Sequence, residues 1–368
     1  MKPISILIAP DKFKGSLTSF EVVKALSNGL QSAGVVIKGF PFADGGDGFA
    51  AVMKYYLQTT TCTCDAVDPL HRKITVAYEW DEKNKTAIIE MAVASGLVLL
   101  KEAEKNPLKT STLGTGMMIK DAIAKGAKKI ILGLGGSATN DAGIGILSAL
   151  GFQFYDAGEN MLPACGSSLI SIKKIIAPAI LPDVKFEIAC DVQNVLYGPN
   201  GAAYVYAPQK GADKEMVALL DSGLKNFAGV IEKSTGRTVA SAAGAGAAGG
   251  IAAGLMAFFD VVLVKGVELV ATASGIKKQL SFIDMIITGE GKIDNQSNEG
   301  KVTGYMAGLA KQYSIPCVAF CGIAALTKNE STAMGLNKIV SLAENESEVS
   351  YAIEHAAKLL QQKAHYAL

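Results

Sequence analysis

The sequence predicts an α/β protein. A doubly wound domain with a parallel sheet is built from both chain ends, and a second α/β domain with a mixed sheet is inserted between them. At both ends, short apolar runs rich in β-branched residues alternate with helical patterns, which is typical of parallel strands joined by crossover helices. The first part of the middle section instead alternates apolar and polar residues, which indicates antiparallel strands with one face in water.

Strands and helices alternate regularly at the two ends of the chain. Ile4–Ala9 is a predicted strand and Ser19–Gly34 a predicted helix, followed by the strand Val35–Phe42 and the helix Gly48–Leu57. The similar character of the C-terminal strands predicts that both ends contribute to one sheet. These C-terminal strands are predicted at Phe282–Gly289, Pro316–Gly322 and Asn337–Ala343.

The middle section begins with a different pattern. Its alternation from Thr59 to Ala94, with turn signals at Asp68-Pro69 and Asp81–Lys85, predicts an antiparallel meander. Strand–helix units then resume, with predicted strands at Lys128–Leu134 and Lys185–Cys190. We therefore expect one discontinuous domain and one inserted domain, formed by residues 1–58 with 275–368 and by residues 59–274.

Charge and composition argue against several classes of protein. The net charge is +1 and no run rich in Lys or Arg occurs, so binding to nucleic acid is not expected. No apolar run reaches the roughly 18 residues of a membrane-spanning helix, and the N-terminus lacks the long apolar core of a signal peptide. The six cysteines have no zinc-site spacing, so we expect reduced thiols in a cytoplasmic protein.

Five polar clusters each follow a predicted strand. In open α/β sheets, ligands bind where the carboxyl ends of the strands meet the next element. Any one cluster alone could be a turn or a helix cap, but five at equivalent places favour a binding site. The clusters are IAPDKFKGS (8–16), FPFADGGDG (40–48), LGLGGSATND (132–141), CDVQN (190–194) and ITGEGKIDNQ (287–296).

Carboxylates and lysines occur together in or near these clusters. Mg²⁺ takes one or two carboxylates together with phosphate oxygens, and lysine acts as a point charge for phosphate. The pattern therefore suits a polyanion held with a divalent cation. The carboxylates are Asp11, Asp44, Asp47, Asp141, Asp191, Glu290 and Asp294, and the lysines are Lys12, Lys14, Lys292 and Lys301.

The third cluster has the composition of a phosphate-binding loop. Its glycines allow close approach of the backbone to a ligand and positive φ angles, and the next helix is expected to offer free N–H groups. Neither Gly-Lys pair of the chain has the spacing of a P-loop. The residues concerned are Gly133, Gly135, Gly136, Ser137, Thr139 and Asn140.

Two competing motifs are weaker. Gly244–Gly249 matches the G-x-G-x-x-G pattern of dinucleotide-binding proteins, but the residues before it, VASAA, are a poor strand, so close packing or a glycine-rich loop is favoured. No G-x-S-x-G elbow occurs, and His71, His355 and His365 all lie outside the polar clusters. A carboxylate is therefore the expected general base.

The motifs together resemble the bacterial-type (type 1) glycerate kinase family. In order along nearly the whole chain, they are IAPDKFKGSLT, PFADGGDGF, LGLGGSATND, CDVQN, YGPNGAAYVYAPQKGA, GAGAAGGIAAGL and ITGEGKIDNQSNEGK. The resemblance implies a Rossmann-like domain with an inserted α/β domain. It also implies transfer of the γ-phosphoryl group of ATP to D-glycerate with Mg²⁺, with 2-phosphoglycerate as the favoured product. Asp47, Ala142 and His71 depart from the residues common in the family.

Asp191 is the best single candidate for the general base, with Asp44, Asp47, Glu290 and Asp294 as rivals. It follows a buried-looking strand and opens a polar loop that has no other acid. Capping of a turn or binding of Mg²⁺ is the alternative role for this residue. Lys12 and Lys14 complete the expected catalytic set. The expected glycerate- or nucleotide-binding residues are Asp11, Ser16, Gly45, Gly46, Gly135, Gly136, Ser137, Asn140, Asp141, Asn194, Gly289, Glu290 and Lys301, and the expected Mg²⁺ ligands are Asp44, Asp47 and Asp294.

The clusters of the two domains are expected to meet across an interdomain cleft, and the sequence leaves open which of them binds the nucleotide. ATP and glycerate are the expected small-molecule partners, without nucleic acid or membrane, and a homodimer is an open option. The alternatives to a kinase are a dinucleotide-binding regulator and a non-catalytic protein that binds sugar acids.

Overall fold

The structure is a computed structural model that describes residues 3–31, 35–298 and 300–368. The last three residues of the predicted first helix, 32–34, lie outside the described residues. The strands are β1 (Ile4–Ile8), β2 (Val35–Gly39), β3 (Thr60–Val67), β4 (Lys73–Asp81), β5 (Thr86–Glu90), β6 (Lys129–Gly133), β7 (Gln153–Tyr155), β8 (Lys174–Ile176), β9 (Lys185–Ala189), β10 (Asp260–Val264), β11 (Met285–Ile293), β12 (Cys317–Ala324) and β13 (Lys338–Ser341).

The α-helices alternate with these strands over most of the described chain. They are α1 (Ser19–Gly29), α2 (Phe49–Leu57), α3 (Ala92–Ser95), α4 (Leu113–Ala124), α5 (Ile144–Ala149), α6 (Ala202–Tyr206), α7 (Lys214–Thr235), α8 (Ala247–Met256), α9 (Gly266–Ser274), α10 (Val302–Tyr313), α11 (Lys328–Met334), α12 (Val349–Glu354) and α13 (Ala356–Lys363). None of the described helices combines the length and the apolar character needed to cross a lipid bilayer.

The chain divides into two compact units. The first unit comprises Met1–Val52 and Lys265–Leu368, and the second comprises Met53–Val264. The boundaries predicted from the sequence were 58/59 and 274/275. In the structure the second boundary lies ten residues earlier, so the first unit also contains α9. Contacts within the first unit explain this difference, because Tyr305 on α10 donates a hydrogen bond to Glu268 on α9 over 3.1 Å.

The first unit contains a five-stranded parallel sheet in the order β13-β12-β11-β1-β2, built from both ends of the chain as predicted. β1 lies inside the sheet, with Ile6 opposite Met285 of β11 and also opposite Ile37 of β2. Ile6, Leu7 and Ile8 are fully buried, as continuous apolar runs are in parallel strands covered on both faces. The helix α1 begins at a capping box formed by Thr18 and Glu21, which fixes the turn after the first polar cluster.

All five strands of this sheet point the same way, so their carboxyl ends lie along one edge. The loops after β1 and β2, which carry two of the predicted polar clusters, therefore share that edge. The cluster at 287–296 was predicted to follow its strand, but its residues 287–293 form the end of β11 itself. Glycine is needed here for close approach of neighbouring backbones. A Cβ atom on Gly289 would lie 2.2 Å from the carbonyl oxygen of Phe320 on the neighbouring strand.

The second unit contains a six-stranded mixed sheet in the order β10-β9-β6-β5-β4-β3. The predicted meander is confirmed, because β3, β4 and β5 pair antiparallel, while β5, β6, β9 and β10 pair parallel. The edge strand β10 and the short antiparallel pair of β7 and β8 were not predicted from the sequence. These elements have only three to five residues and several exposed side chains, so their hydrophobic pattern is weak.

The glycine-rich segment Gly244–Gly249 does not follow a strand, so the structural context of a dinucleotide fingerprint is missing. Gly249 and Gly250 at the start of α8 have φ angles of 77° and 93°. A Cβ atom on Gly249 would lie 2.3 Å from the carbonyl oxygen of Thr139. These glycines therefore allow the segment to pack tightly against the loop that follows β6.

Replacing Phe320 by Ala should destabilise the chain strongly, because this side chain is fully buried in the core of the first unit. We expect a loss of about 3–5 kcal/mol of unfolding free energy, as for other buried aromatic side chains. Urea denaturation followed by circular dichroism measures it. Val36→Ala on the edge strand β2, where the side chain is 42% exposed, is the control and should cost less than about 1 kcal/mol. Equal losses in the two variants would contradict this assignment of the core.

Candidate active site

A cavity of about 390 Å³ lies within the first unit at the carboxyl ends of β1, β11, β12 and β13. It brings together many of the predicted site residues, from the loops after β1 and β2, from the end of β11 and from the start of α10. Both signs of charge meet in it. Its polar and charged lining residues from the predicted clusters are Asp11, Lys12, Lys14, Ser16, Asp44, Glu290, Lys292 and Lys301.

Asp11 is the most buried of the acidic residues that follow β1 and β2. It is 6% exposed, and its carboxylate accepts a hydrogen bond from the backbone N–H of Lys12 over 2.7 Å. Burial and the nearby charges of Asp44 and Glu290 raise the pKa of Asp11 to about 7, against the opposing effect of Lys12. Three carboxylates thus create a concentrated negative field that favours a bound cation or proton.

Glu290, near the end of β11, is also 6% exposed. Its Oε2 lies 3.4 Å from Nζ of Lys301, whereas its Oε1 is buried and has no hydrogen-bond partner in the described part of the chain. Burial raises the pKa of Glu290 against the opposing effects of Lys301, Ser297 and Thr303. The hydroxyl of Thr303 in the first turn of α10 is buried and lies near this carboxylate, but no hydrogen bond of good geometry joins it to a described residue. Such orphaned polar atoms are typical of sites that bind a ligand, ion or water.

Lys301 provides positive charge next to these carboxylates. It occupies the N-cap position of α10, and its side chain makes no capping hydrogen bond there. The backbone of Lys301 therefore begins a 12-residue helix, while its ammonium group lines the cavity beside Glu290. A helix N-terminus favours negatively charged ligands, so this side of the cavity suits an anion.

The residues after β2 shape the same cavity. Asp44 accepts a hydrogen bond from the N–H of Gly46 over 3.1 Å, and a Cβ atom on Gly46 would lie only 3.1 Å from that carboxylate oxygen. Gly45 has a φ of 92°, which few residues other than glycine adopt. Asp47 lines a neighbouring cavity of about 250 Å³ that shares Asp11 with the first one.

The expected Mg²⁺ ligands Asp44, Asp47 and Asp294 do not line one cavity. Asp294 lies 3.7 Å from Nζ of Lys292 and lines neither of the two cavities described above. Across residues 3–31, 35–298 and 300–368, no group of three or more His, Cys, Asp or Glu side chains is placed to hold a metal ion. The predicted carboxylates that do face one cavity are Asp11, Asp44 and Glu290, and Glu346, which was not predicted, also lines it.

Two predicted binding residues, Ser16 and Gly289, already make hydrogen bonds within the protein. The hydroxyl of Ser16 donates a hydrogen bond to the carbonyl oxygen of Ile353 over 2.6 Å, which ties the loop after β1 to α12. The carbonyl oxygen of Gly289 in β11 accepts the N–H of Asp11 over 2.8 Å. Both contacts hold the acidic loop in place at the edge of the sheet.

In the second unit, the expectation of free N–H groups at the start of α5 is wrong. The carboxylate of Asp141 is fully buried and accepts hydrogen bonds from the N–H groups of Gly143 and Gly145 and from both the N–H and the hydroxyl of Thr112. The Thr112 hydroxyl in turn accepts the N–H of Ile146. The helix start is therefore capped by the protein itself, and α5 has only six residues.

The rest of this loop is partly accessible. Gly136 is exposed, with a φ of 75°, and Gly135 is half-buried. Ser137 and Asn140 are buried, and both side-chain amide atoms of Asn140 lack a hydrogen-bond partner within the described chain. The loop therefore keeps polar atoms that its own fold does not satisfy.

Lys210 is a residue that the sequence analysis did not assign. It is 2% exposed, and its Nζ donates hydrogen bonds to the carbonyl oxygen of Thr139 over 2.6 Å and to the hydroxyl of Ser137 over 3.2 Å. Burial lowers the pKa of Lys210 to about 7, against the opposing charge of Asp141. The motif YAPQKGA contains this lysine, but nothing in its spacing indicates that the side chain is buried.

Asp191 and Asn194 lie in the loop after β9. Asp191 is half-buried and follows the last residue of β9, Ala189, by two positions. The side chain of Asn194 holds the loop, because it accepts a hydrogen bond from Tyr206 over 2.5 Å and donates one to the carbonyl oxygen of Asn200 over 2.9 Å. The second unit thus presents its polar loops at the carboxyl ends of β6 and β9.

Comparison with known proteins agrees with this arrangement. A sequence model of the Glycerate kinase family matches residues 6–368 of this chain. The chain belongs to the glycerate kinase family. As a member of that family it is a kinase, and the resemblance seen in its motifs is confirmed.

Individual members of the glycerate kinase family match over most of their length. The chain is 39% identical to a glycerate kinase of Halalkalibacterium halodurans over 365 residues, which cover 98% of this chain and 96% of that protein. It is 40% identical to a glycerate 2-kinase of Escherichia coli over 324 residues, covering 87% and 85%. The crystal structure of a glycerate kinase 2 candidate from Salmonella typhimurium LT2 superposes with a TM-score of 0.85 at 35% identity, covering 99% and 97%.

The buried lysine predicts a pH dependence of stability. Between pH 7 and 10.5 the unfolded chain keeps a proton on Lys210 that the folded chain has lost, so this group makes the unfolding free energy rise with pH. Below pH 7 both states hold the proton and the dependence ends. Melting temperatures of the native chain and of Lys210→Met, measured at pH 7 and 9.5, test this. We expect the native chain to gain stability relative to the variant at the higher pH, and a pH-independent difference would contradict it.

Proposed function

We propose that this protein transfers the γ-phosphoryl group of ATP to D-glycerate with the help of Mg²⁺, with 2-phosphoglycerate as the favoured product. The observation that carries the proposal is the convergence of lysines and carboxylates on one cavity at the carboxyl edge of the first sheet. Membership of the glycerate kinase family supports the acceptor. The name of the E. coli relative, a glycerate 2-kinase, supports the 2-position.

Phosphoryl transfer depends mainly on positioning and on neutralisation of charge. Lys12, Lys14 and Lys301 line the cavity and would bind phosphate oxygens as point charges. The N-terminus of α10 adds its own positive potential at Lys301. These groups would hold the γ-phosphoryl group against the incoming hydroxyl and stabilise the negative charge that remains on ADP.

The acidic residues of this cavity fit a Mg²⁺ ion bound together with phosphate. Mg²⁺ is held by one or two carboxylates plus phosphate oxygens and does not need an all-protein cage. Asp44 faces the cavity and Glu290 has a buried oxygen without a partner among the described residues, so these two are the proposed ligands. When bound, Mg²⁺ would neutralise the charge of the β- and γ-phosphates.

Asp191 is the proposed general base. The hydroxyl oxygen of glycerate bonds to the γ-phosphorus, the bond from that phosphorus to the bridging oxygen of ADP breaks, and the hydroxyl proton passes to the Asp191 carboxylate. It is half-buried and follows the end of β9 by two positions, so the strand holds its backbone in place. None of the polar clusters contains a histidine that could replace it.

An assay of ADP release with a panel of small hydroxy acids tests the activity, and phosphorus NMR identifies the phosphorylated hydroxyl. We expect ADP release that requires both Mg²⁺ and D-glycerate and a product with phosphate on the 2-hydroxyl. Binding of glycerate without ADP release by the folded protein would favour a non-catalytic sugar-acid-binding protein. Phosphate on the 3-hydroxyl would overturn the proposed position of transfer.

Replacing Asp191 by Asn should slow turnover, because it removes the proton acceptor and keeps the shape of the side chain. We expect kcat to fall at least about a hundredfold, as is usual for loss of a general base, with little change in the KM for ATP. Steady-state kinetics at several Mg²⁺ concentrations measure both. Near-normal turnover would eliminate the base assignment, and rescue by excess Mg²⁺ would instead identify Asp191 as a metal ligand.

A further inference from the structure

The cavity of the first unit has two walls of different chemistry. Most of its charged residues come from the β11, β1 and β2 side of the sheet, whereas the β12 and β13 side contributes apolar residues and one acid, Glu346. The strand order β13-β12-β11-β1-β2 therefore separates the apolar wall from most of the charged groups. The apolar wall consists of Ile323 at the end of β12, Leu342 after β13, Val349, Ala352 and Ile353 of α12, and Ala356 of α13.

Such a cavity matches a ligand with one flat apolar end and one polyanionic end. A nucleoside triphosphate has this form, because its base is flat and weakly polar while its phosphates carry several negative charges. Glycerate does not, since each of its carbons bears an oxygen and it would leave the apolar wall in contact with water. The volume of about 390 Å³ falls within the roughly 300–1,000 Å³ of small-molecule sites.

We propose that this cavity is the nucleotide site, with the base against the apolar wall of β12, β13 and α12 and the phosphates toward Lys12, Lys14 and Lys301. The inference rests on the proposed function and resolves a point that the sequence leaves open, namely which polar clusters bind ATP. The acceptor glycerate then binds outside this cavity.

One contact links the two walls directly. The Ser16 hydroxyl, in the loop that carries Lys12 and Lys14, donates a hydrogen bond to the carbonyl oxygen of Ile353 on α12 over 2.6 Å. The first turn of α10 is fixed to β11 by the interaction of Lys301 with Glu290. The spacing between the base wall and the phosphate-binding lysines is therefore set before the nucleotide binds, which lowers the entropic cost of binding.

The test replaces Val349, a half-buried residue of the apolar wall, by Trp, so that the indole fills the place of the base. Calorimetry on the full chain measures binding of MgADP, which has a base, and of Mg-tripolyphosphate, which has none. We expect the Kd of MgADP to rise at least about tenfold, as for loss of one buried aromatic contact, with the Kd of tripolyphosphate unchanged. Ser350→Trp is the matched control, because Ser350 is exposed on the same helix and does not line the cavity.

A second variant tests the phosphate-binding end of the cavity. Lys301→Met should weaken the binding of both MgADP and tripolyphosphate, because in the proposed site this ammonium group contacts the phosphates of the nucleotide and not its base. If Val349→Trp leaves the Kd of MgADP unchanged, or weakens tripolyphosphate equally, the proposed position of the base is wrong. Loss of MgADP binding in the control Ser350→Trp, with normal binding in Val349→Trp, would also overturn the proposed position of the base.

A measurement on the native chain covers the case in which Val349→Trp does not fold. In saturation-transfer NMR with irradiation of the protein methyl groups, the adenine protons of bound MgADP should receive strong saturation from the valine, leucine and isoleucine side chains of the wall. Absence of transfer to the adenine protons would overturn the inference. Nucleotide binding in this pattern without phosphorylation of glycerate would instead refute the proposed reaction and leave the nucleotide site intact.

Discussion

The pairing of β1 with β11 is the interaction on which the candidate site depends. Ile6 and Ile8 of the N-terminal strand lie opposite Met285 and Ile287, and beyond the strand the N–H of Asp11 donates to Gly289 over 2.8 Å. Residues separated by about 280 positions in the chain thus become neighbours. Without this register the acidic loop after β1 would not meet Glu290 and Lys301, so the site exists only in the folded unit.

The cost of this arrangement is electrostatic. Asp11, Asp44 and Glu290 are brought together with little water to screen them, and the pKa of Asp11 rises to about 7 as a result. A buried oxygen of Glu290 also has no partner among the described residues. A fold selected for stability alone would pair or remove such groups, so their retention is typical of a functional site.

The fold and the edge that carries the site could largely be predicted from the sequence, because they depend on local pattern. Continuous apolar runs such as Ile4–Ile8 indicate buried parallel strands, and the alternation within β3 and β4 indicates the meander. Side-chain partners depend on tertiary contacts, which no spacing rule reveals. Asp141 therefore appeared to be a ligand-binding residue although it caps α5, and the burial of Lys210 beneath the loop after β6 was missed.

We propose that nucleotide and metal bind at the carboxylates and lysines on the carboxyl edge of the first sheet. The most direct measurement is a crystal structure of the chain with MnADP, in which the anomalous signal of Mn²⁺ locates the metal without prior assumptions. We predict a single strong peak bonded to Asp44 or Glu290, with ADP phosphates beside Lys12 and Lys301. A peak and nucleotide density at the loops after β6 or β9 of the second unit, with this cavity empty of both, would contradict the account.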